Sequence, residues 1–198
     1  MLASGRGSNF EAIARAVESG QIPADLAVLI TDRADAGAMG LARAHGVETL
    51  FVDPREHPGR EAHEKAVIAA LEERAVGLVC LAGYMRLLSP VFVKRFEGRL
   101  LNIHPSLLPA FPGLHAQAQA LSHGVKVAGA TVHFVDDGTD TGPIVMQAAV
   151  PVSEDDREET LSERILVQEH RIYPEGIRLF AEGRLHIEGR RVHIRERR

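Results

Sequence analysis

The stretch Leu101-Asn102-Ile103-His104-Pro105-Ser106-Leu107-Leu108-Pro109 (LNIHPSLLP) decides how the chain is read. Leu100 to Ile103 is a short apolar run fit for the end of a buried strand, and Asn102 and His104 stand two residues apart at its end. On a strand that spacing puts both side chains on one face, about 7 Å apart along the chain. Pro105 removes a backbone donor and stops the pairing. An amide and an imidazole then converge where a strand leaves the sheet, the place where open α/β sheets bind ligands. A satisfied histidine beside a loop-capping asparagine is the plainer reading. The pairing of the two, and a second polar loop downstream, favour a site.

Working backwards, strands alternate with helices. Only Met1-Leu2-Ala3 precede the glycine loop Ser4-Gly5-Arg6-Gly7-Ser8-Asn9. An ordinary strand has about 5–6 residues, so a first strand that is short or poorly anchored is expected. Phe10, Ile13, Ala14 and Val17 share one face of a helix that Gly20 ends. Leu26–Ile30, Thr49–Val52 and Gly77–Leu81 read as strands, and Ala36–His45 and Arg60–Arg74 as helices. The second helix is expected to bury Val67, Ile68 and Leu71, and Ser89-Pro90 opens a further one with an N-cap and a first-turn proline. Such alternation marks βαβ units and a parallel sheet.

Working forwards, the rhythm changes. After a helix near His115–Ser122, Ala130–Val135 and Pro143–Val152 follow without a helix between them, as antiparallel additions at the sheet edge. Thr160–Tyr173 is a helix with Leu161, Ile165 and Leu166 inward, kinked or restarted by Pro174. Arg184–Arg195 alternates around Gly189 as a hairpin, and the basic end Arg190–Arg198 reads as a solvated face rather than a phosphate-binding tail. The expected fold is α/β, mostly parallel with helices on both faces, in a single domain over residues 1–198.

A chain of 198 residues suits one substantial core. Its 45% hydrophobic and 25% charged residues are ordinary for a globular protein, and the net charge of −4 argues against general nucleic-acid binding. Cys80 is the only cysteine, so no internal disulfide can form, and a reducing compartment is expected. No apolar run approaches the ~18 residues of a membrane span, and no charged-then-apolar leader is visible, so a cytoplasmic protein is expected.

The glycine loop lies between strand and helix, where backbone N–H groups can hold a phosphate. It is neither a Walker loop nor a dinucleotide fingerprint, because Phe10 occupies the third glycine position. Asp32 keeps a ribose-binding role, and with it a nicotinamide enzyme, open. The run Asp136-Asp137-Gly138-Thr139-Asp140 suggests a calcium loop, but the twelfth position falls on Gln147 or Ala148 instead of glutamate. One of its carboxylates is instead expected to pair with His104 and raise its pKa. Ten histidines form no His-Glu-x-x-His pair, so no metal is expected. Gly-x-Ser-x-Gly is absent, which argues against a serine hydrolase.

With these residues in hand, the chain resembles the phosphoribosylglycinamide formyltransferase family. The resemblance runs from Met1 to about Gly183 through Ser4–Asn9, Ala82–Pro90, Leu101–His115, Thr131–Val135, Asp140–Pro143 and Gln168-Glu169-His170. It implies a Rossmann-like domain that moves a formyl group from 10-formyltetrahydrofolate to the amine of 5′-phosphoribosylglycinamide. Carried over by resemblance, Gly7, Ser8 and Asn9 hold the phosphate, and Gln168 and Glu169 the ribose side. Arg60, Met85, Arg86, Leu87, Leu88, Asn102, Asp136, Asp137, Gly138, Thr139 and Asp140 line the folate site. Asn102, His104 and Asp140 match the catalytic trio. The Glu169 carboxylate is expected to face a cleft.

The partners implied are small molecules, with neither nucleic acid nor membrane, in a monomer or homodimer. Alternatives sharing the domain are formyltetrahydrofolate hydrolase and other formyltransferases. Methionyl-tRNA formyltransferase would need a further domain after residue ~200, and the deformylase an N-terminal regulatory one. A non-catalytic nucleotide-sugar binder would not require the trio.

Overall fold

A computed structural model describes residues 1–196; the last two residues of the basic end, 197 and 198, lie outside the described residues. Two compact units emerge, Met1–Leu101 and the chain from Asn102 onward.

In the first unit, β1 (Leu29–Thr31) and β2 (Thr49–Phe51) pair in parallel, with Ile30 opposite Leu50. Leu2 bridges in parallel to Ile30 on one side and, on the other, to Leu81 of β3 (Val79–Leu81). The expected first strand is thus short but doubly anchored. Leu2 N–H donates to Cys80 O at 2.8 Å and Ala3 N–H to Ile30 O at 3.1 Å. Leu2, Leu29 and Val79 are fully buried. β1 starts later than the run Leu26–Ile30 suggested, because Asp25 and Ala27 are exposed and Leu26 only half-buried, leaving nothing to pack a longer strand.

Helix α1 (Ser8–Glu18) buries Phe10, Ile13, Ala14 and Ala16, so Ala16 takes the place expected of Val17. α2 (Gly37–Ala44) and α3 (Arg60–Glu73) follow, α3 burying His63, Glu64, Val67, Ala70 and Leu71 while Ile68 stays half-buried. α4 (Pro90–Arg95) begins as its sequence dictates: Ser89 Oγ accepts the Phe92 N–H, and Pro90 fills the first turn.

β4 (Leu100–His104) leads into the second unit, whose strand order from there is β4-β5-β6-β8-β7. β5 (Val127–Phe134) and β6 (Ile144–Pro151) are antiparallel, in register from Val127 opposite Pro151. They do not close the sheet. The hairpin of β7 (Leu185–Glu188) and β8 (Arg191–Ile194) lies beyond β6, and Ile144 pairs in parallel with Arg191. At the hairpin turn, Arg190 Nη2 donates to Thr141 O at 2.9 Å.

α5 (Ala116–Ser122) is short, whereas α6 (Glu158–Ala181) runs through Pro174 without a break. A proline inside a helix removes one hydrogen bond and crowds the preceding turn. Here Ile172, Tyr173, Pro174, Gly176 and Ile177 are all buried, and that packing outweighs the local preference to stop. The sheet of the second unit is mixed, with β5–β6 and β7–β8 antiparallel and β6–β8 parallel.

Candidate active site

The pleat of β4 buries Leu101 and Ile103 on one face and turns Asn102 and His104 to the other. His104 is 5% exposed and Asn102 half-buried. Pro105 ends the strand, and the loop to Gly113 folds back over it. Three groups hold that loop. Thr131 Oγ1, fully buried on β5, donates to Ser106 O at 2.6 Å and accepts Leu108 N–H at 3.1 Å. Gln147 Nε2 reaches Leu108 O at 2.9 Å, and Ser106 Oγ donates to Ala110 O at 2.5 Å. The loop returns a carbonyl to the histidine, with Phe111 O 2.9 Å from His104 Nε2.

The loop between β5 and β6 supplies the carboxylate. Asp140 adopts a positive φ of 54°, a conformation aspartate tolerates better than most residues. Asp136 Oδ1 ties the loop together by accepting Gly138 N–H at 3.1 Å and Thr141 Oγ–H at 2.6 Å. Gly142 is required where it stands, since a Cβ there would sit 1.8 Å from Phe134 O. So held, Asp140 Oδ2 lies 3.3 Å from His104 Nδ1 and accepts Gly113 N–H at 2.7 Å. A second histidine joins them. His133, 1% exposed, places Nε2 3.6 Å from Asp140 Oδ1 and 3.1 Å from Asn102 Nδ2, while Nδ1 sits 2.8 Å from Phe134 O. A tautomer with the proton on Nδ1 donates to Phe134 O and accepts from the Asn102 amide.

Burial opposes ionisation of Asp140, but the Gly113 N–H and the two nearby imidazoles outweigh it and hold the carboxyl below its ordinary value. For His104 the balance falls the other way. Burial lowers its pKa more than the Phe111 carbonyl and Asp140 raise it. The carboxylate does pair with His104, yet the expected rise in pKa does not follow, because desolvation dominates.

In the first unit, Gly7 caps α1 with φ 90°, and a Cβ there would come within 2.6 Å of Ala38 Cα. No side chain caps this helix start, which leaves its first backbone N–H groups to an incoming acceptor. Ser8 and Asn9 begin the helix, both half-buried. Arg60 opens α3 with its Nε 3.8 Å from Glu64 Oε1. In the loop after β3, Met85 is 63% and Leu87 67% exposed, large apolar side chains held out to solvent. Arg86 and Leu88 are half-buried.

A family model described as formyl transferase matches residues 1–177. The chain belongs to that family. The phosphoribosylglycinamide formyltransferase of Escherichia coli K12 is 44% identical over 185 residues, covering 93% of this chain and 87% of that protein. The protein of the same name from Mycobacterium tuberculosis is 46% identical over 200 residues, covering 98% and 92%. The trifunctional purine biosynthetic protein adenosine-3 of Drosophila pseudoobscura is 45% identical over 189 residues, but this chain spans only 14% of its length. Among solved structures, glycinamide ribonucleotide transformylase 1 from Symbiobacterium toebii superposes with TM-score 0.97 at 59% identity, covering 98% of this chain and 92% of that one. A formyltetrahydrofolate deformylase from Pseudomonas syringae shares the fold at TM-score 0.91 and 26% identity, with 98% of this chain and 65% of that one covered.

Within this formyl transferase chain, the structure brings Asn102, His104 and Asp140 together, and Asp136, Asp137, Gly138 and Thr139 share the Asp140 loop. Gln168 and Glu169 lie on α6. Glu169 is 8% exposed and continues the buried stripe of Leu161 and Ile165, four residues on. Gln168 accepts a hydrogen bond from Arg171 Nε at 3.0 Å. His133 was not singled out from sequence. Its signal was the alternation Thr131, His133 on one face of an otherwise apolar strand. Among the described residues, no group of three or more His, Cys, Asp or Glu could hold a metal ion, and no helix is long and apolar enough to cross a membrane.

Proposed function

We propose that this chain transfers the formyl group of 10-formyltetrahydrofolate to the amine of 5′-phosphoribosylglycinamide, giving N-formylglycinamide ribonucleotide and tetrahydrofolate in de novo purine synthesis. The observation that carries it is the clustering of Asn102, His104 and Asp140, with 3.3 Å between imidazole and carboxylate, in a formyl transferase chain. The amine nitrogen attacks the formyl carbon, and the carbonyl electron pair moves onto oxygen. Collapse of that adduct breaks the bond to N10 of the folate, which leaves with a proton. Asn102 has an amide N–H beyond the one directed at His133, and it donates to the developing oxyanion.

His104 is neutral at pH 7, since burial holds it below the ordinary ~6.5. Asp140 is ionised. A neutral imidazole backed by a carboxylate is the arrangement that takes up a proton and stabilises the imidazolium that results. Its Nε2 faces the Phe111 carbonyl, so to take up a proton there the neutral ring gives up that partner and carries its own proton on Nδ1, towards Asp140.

Gly7, Ser8 and Asn9 hold the nucleotide phosphate at the start of α1. On the resemblance, Arg60 and the segment Met85–Leu88 are folate contacts of the first unit, and the loop Asp136–Asp140 is one of the second. Gln168 and Glu169 as ribose contacts rest on the resemblance alone. The enzyme acts in the cytoplasm as one continuous domain, a monomer or homodimer, without a metal. The test is a single incubation with both substrates, following tetrahydrofolate and the formylated nucleotide by mass spectrometry. Equal amounts of both products, appearing only with the amine, are expected. Formate released without the amine would make the chain a hydrolase, and no turnover of any acceptor would leave a nucleotide-sugar binder.

A further inference from the structure

Ser4 joins three segments of the first unit. It is 5% exposed, and its backbone N–H donates to Gly83 O at 3.1 Å. Its hydroxyl donates to Asp32 Oδ1 at 2.5 Å and accepts the Met85 N–H at 3.0 Å. One residue later, Gly5 O accepts the Ala38 N–H at 3.1 Å, and the chain then turns through Gly7 into α1. A single side chain at the root of the glycine loop is therefore bonded at once to the residue after β1 and to the first residue of the Met85–Leu88 segment. A hydroxyl that donates to a carboxylate becomes a better acceptor, so its two bonds reinforce each other. Asp32, which the sequence left open as a ribose ligand, is engaged here instead.

We propose that Ser4 is a positioning residue that couples the two loops, so that nucleotide bound at Gly7–Asn9 strengthens folate binding at Met85–Leu88. The inference rests on the assignment of those loops to the two substrates. Ordering the glycine loop fixes Ser4, Ser4 fixes the Met85 amide, and the segment then meets the folate already in place. By reciprocity, folate strengthens nucleotide binding by the same factor.

The test is calorimetry on the intact chain with 5′-phosphoribosylglycinamide and tetrahydrofolate, which cannot react because no formyl group is present. In the wild type, each ligand is expected to tighten the other about fivefold or more. Ser4→Ala should bring that factor within about twofold of one while each ligand still binds alone, and Ser4→Thr, which keeps the hydroxyl, should restore it. Nucleotide alone should slow hydrogen exchange at the Met85 amide in the wild type but not in Ser4→Ala. Should Ser4→Ala fail to fold, Asp32→Asn carries the same expectation of weakened coupling, since it leaves the hydroxyl and changes its partner. Independent binding in the wild type, or undiminished coupling in the variants, overturns the proposal. Failure of the wild type to bind either ligand would instead reject the substrate assignment, and the coupling with it.

Discussion

His104 Nδ1 lies 3.3 Å from Asp140 Oδ2, and both residues titrate below their ordinary values. The carboxylate favours the imidazolium but does not overcome burial. Replacing it should move the histidine further in the same direction. In Asp140→Asn, the His104 ring protons should titrate at lower pH than in the wild type by NMR, and kcat should fall at least about tenfold. An unmoved titration with wild-type kcat would detach Asp140 from the mechanism and direct attention to Asp136 or Asp137.

The same two shifts set the acid side of the stability curve. Between each folded value and its unfolded one, about 6.5 for histidine and 3.9 for aspartate, the unfolded chain binds more protons. Stability therefore falls as pH falls through each window, first His104 and then Asp140. Urea titrations from pH 7 downward should show a slope below pH ~6.5 that His104→Asn reduces. A slope identical in the variant would assign it to other groups.

Asn102 contributes the amide nearest the cluster, and an oxyanion donor is worth about 3–4 kcal/mol of barrier. Asn102→Ala is expected to lower kcat roughly a hundredfold or more with a smaller change in KM. A rise in KM at constant kcat would show that the amide binds ground state and transition state alike.

Gly7→Val places a branched side chain at φ 90° against Ala38, where even a Cβ comes within 2.6 Å. Calorimetry should find nucleotide binding weakened and folate binding spared, with circular dichroism checking the fold. Equal loss of both, or of neither, would remove the loop from the phosphate site.

Thr131→Val keeps the volume but deletes the hydroxyl that Ser106 O, Leu108 N–H and Gln147 Nε2 share. An unsatisfied buried N–H costs about 1–3 kcal/mol, a drop in Tm of several degrees for a chain of this size. The loop carrying Phe111 and Gly113 should loosen, and kcat should fall with it. Unchanged Tm and kcat would mean the loop is held elsewhere.

What could be read beforehand was local. The two-residue spacing of Asn102 and His104, the stop at Pro105 and the Ser89-Pro90 helix start are written within a few residues and follow from backbone geometry. The acidic run Asp136–Asp140 stood out locally, but which of its carboxylates meets His104 came from the resemblance. His133 meets Asn102 across 31 residues, a contact that no window of sequence contains. The direction of the His104 shift depends on how much water the folded loops exclude, which composition does not encode. Pro174 misled because it was judged by its own preference, whereas the buried face of α6 carries the helix on to Ala181.

The bond from Arg190 to the Thr141 carbonyl gives the β7–β8 hairpin a grip on the residue after Asp140. Chimeras that trade C-terminal segments between relatives would ordinarily place a junction between α6 and β7, treating the terminal hairpin as exchangeable. In this chain such a cut separates the Asp140 loop from its support. The hairpin and the loop are better inherited together, and a recombination scheme that keeps Asp136–Gly142 from one parent should keep Leu185–Ile194 from that parent too.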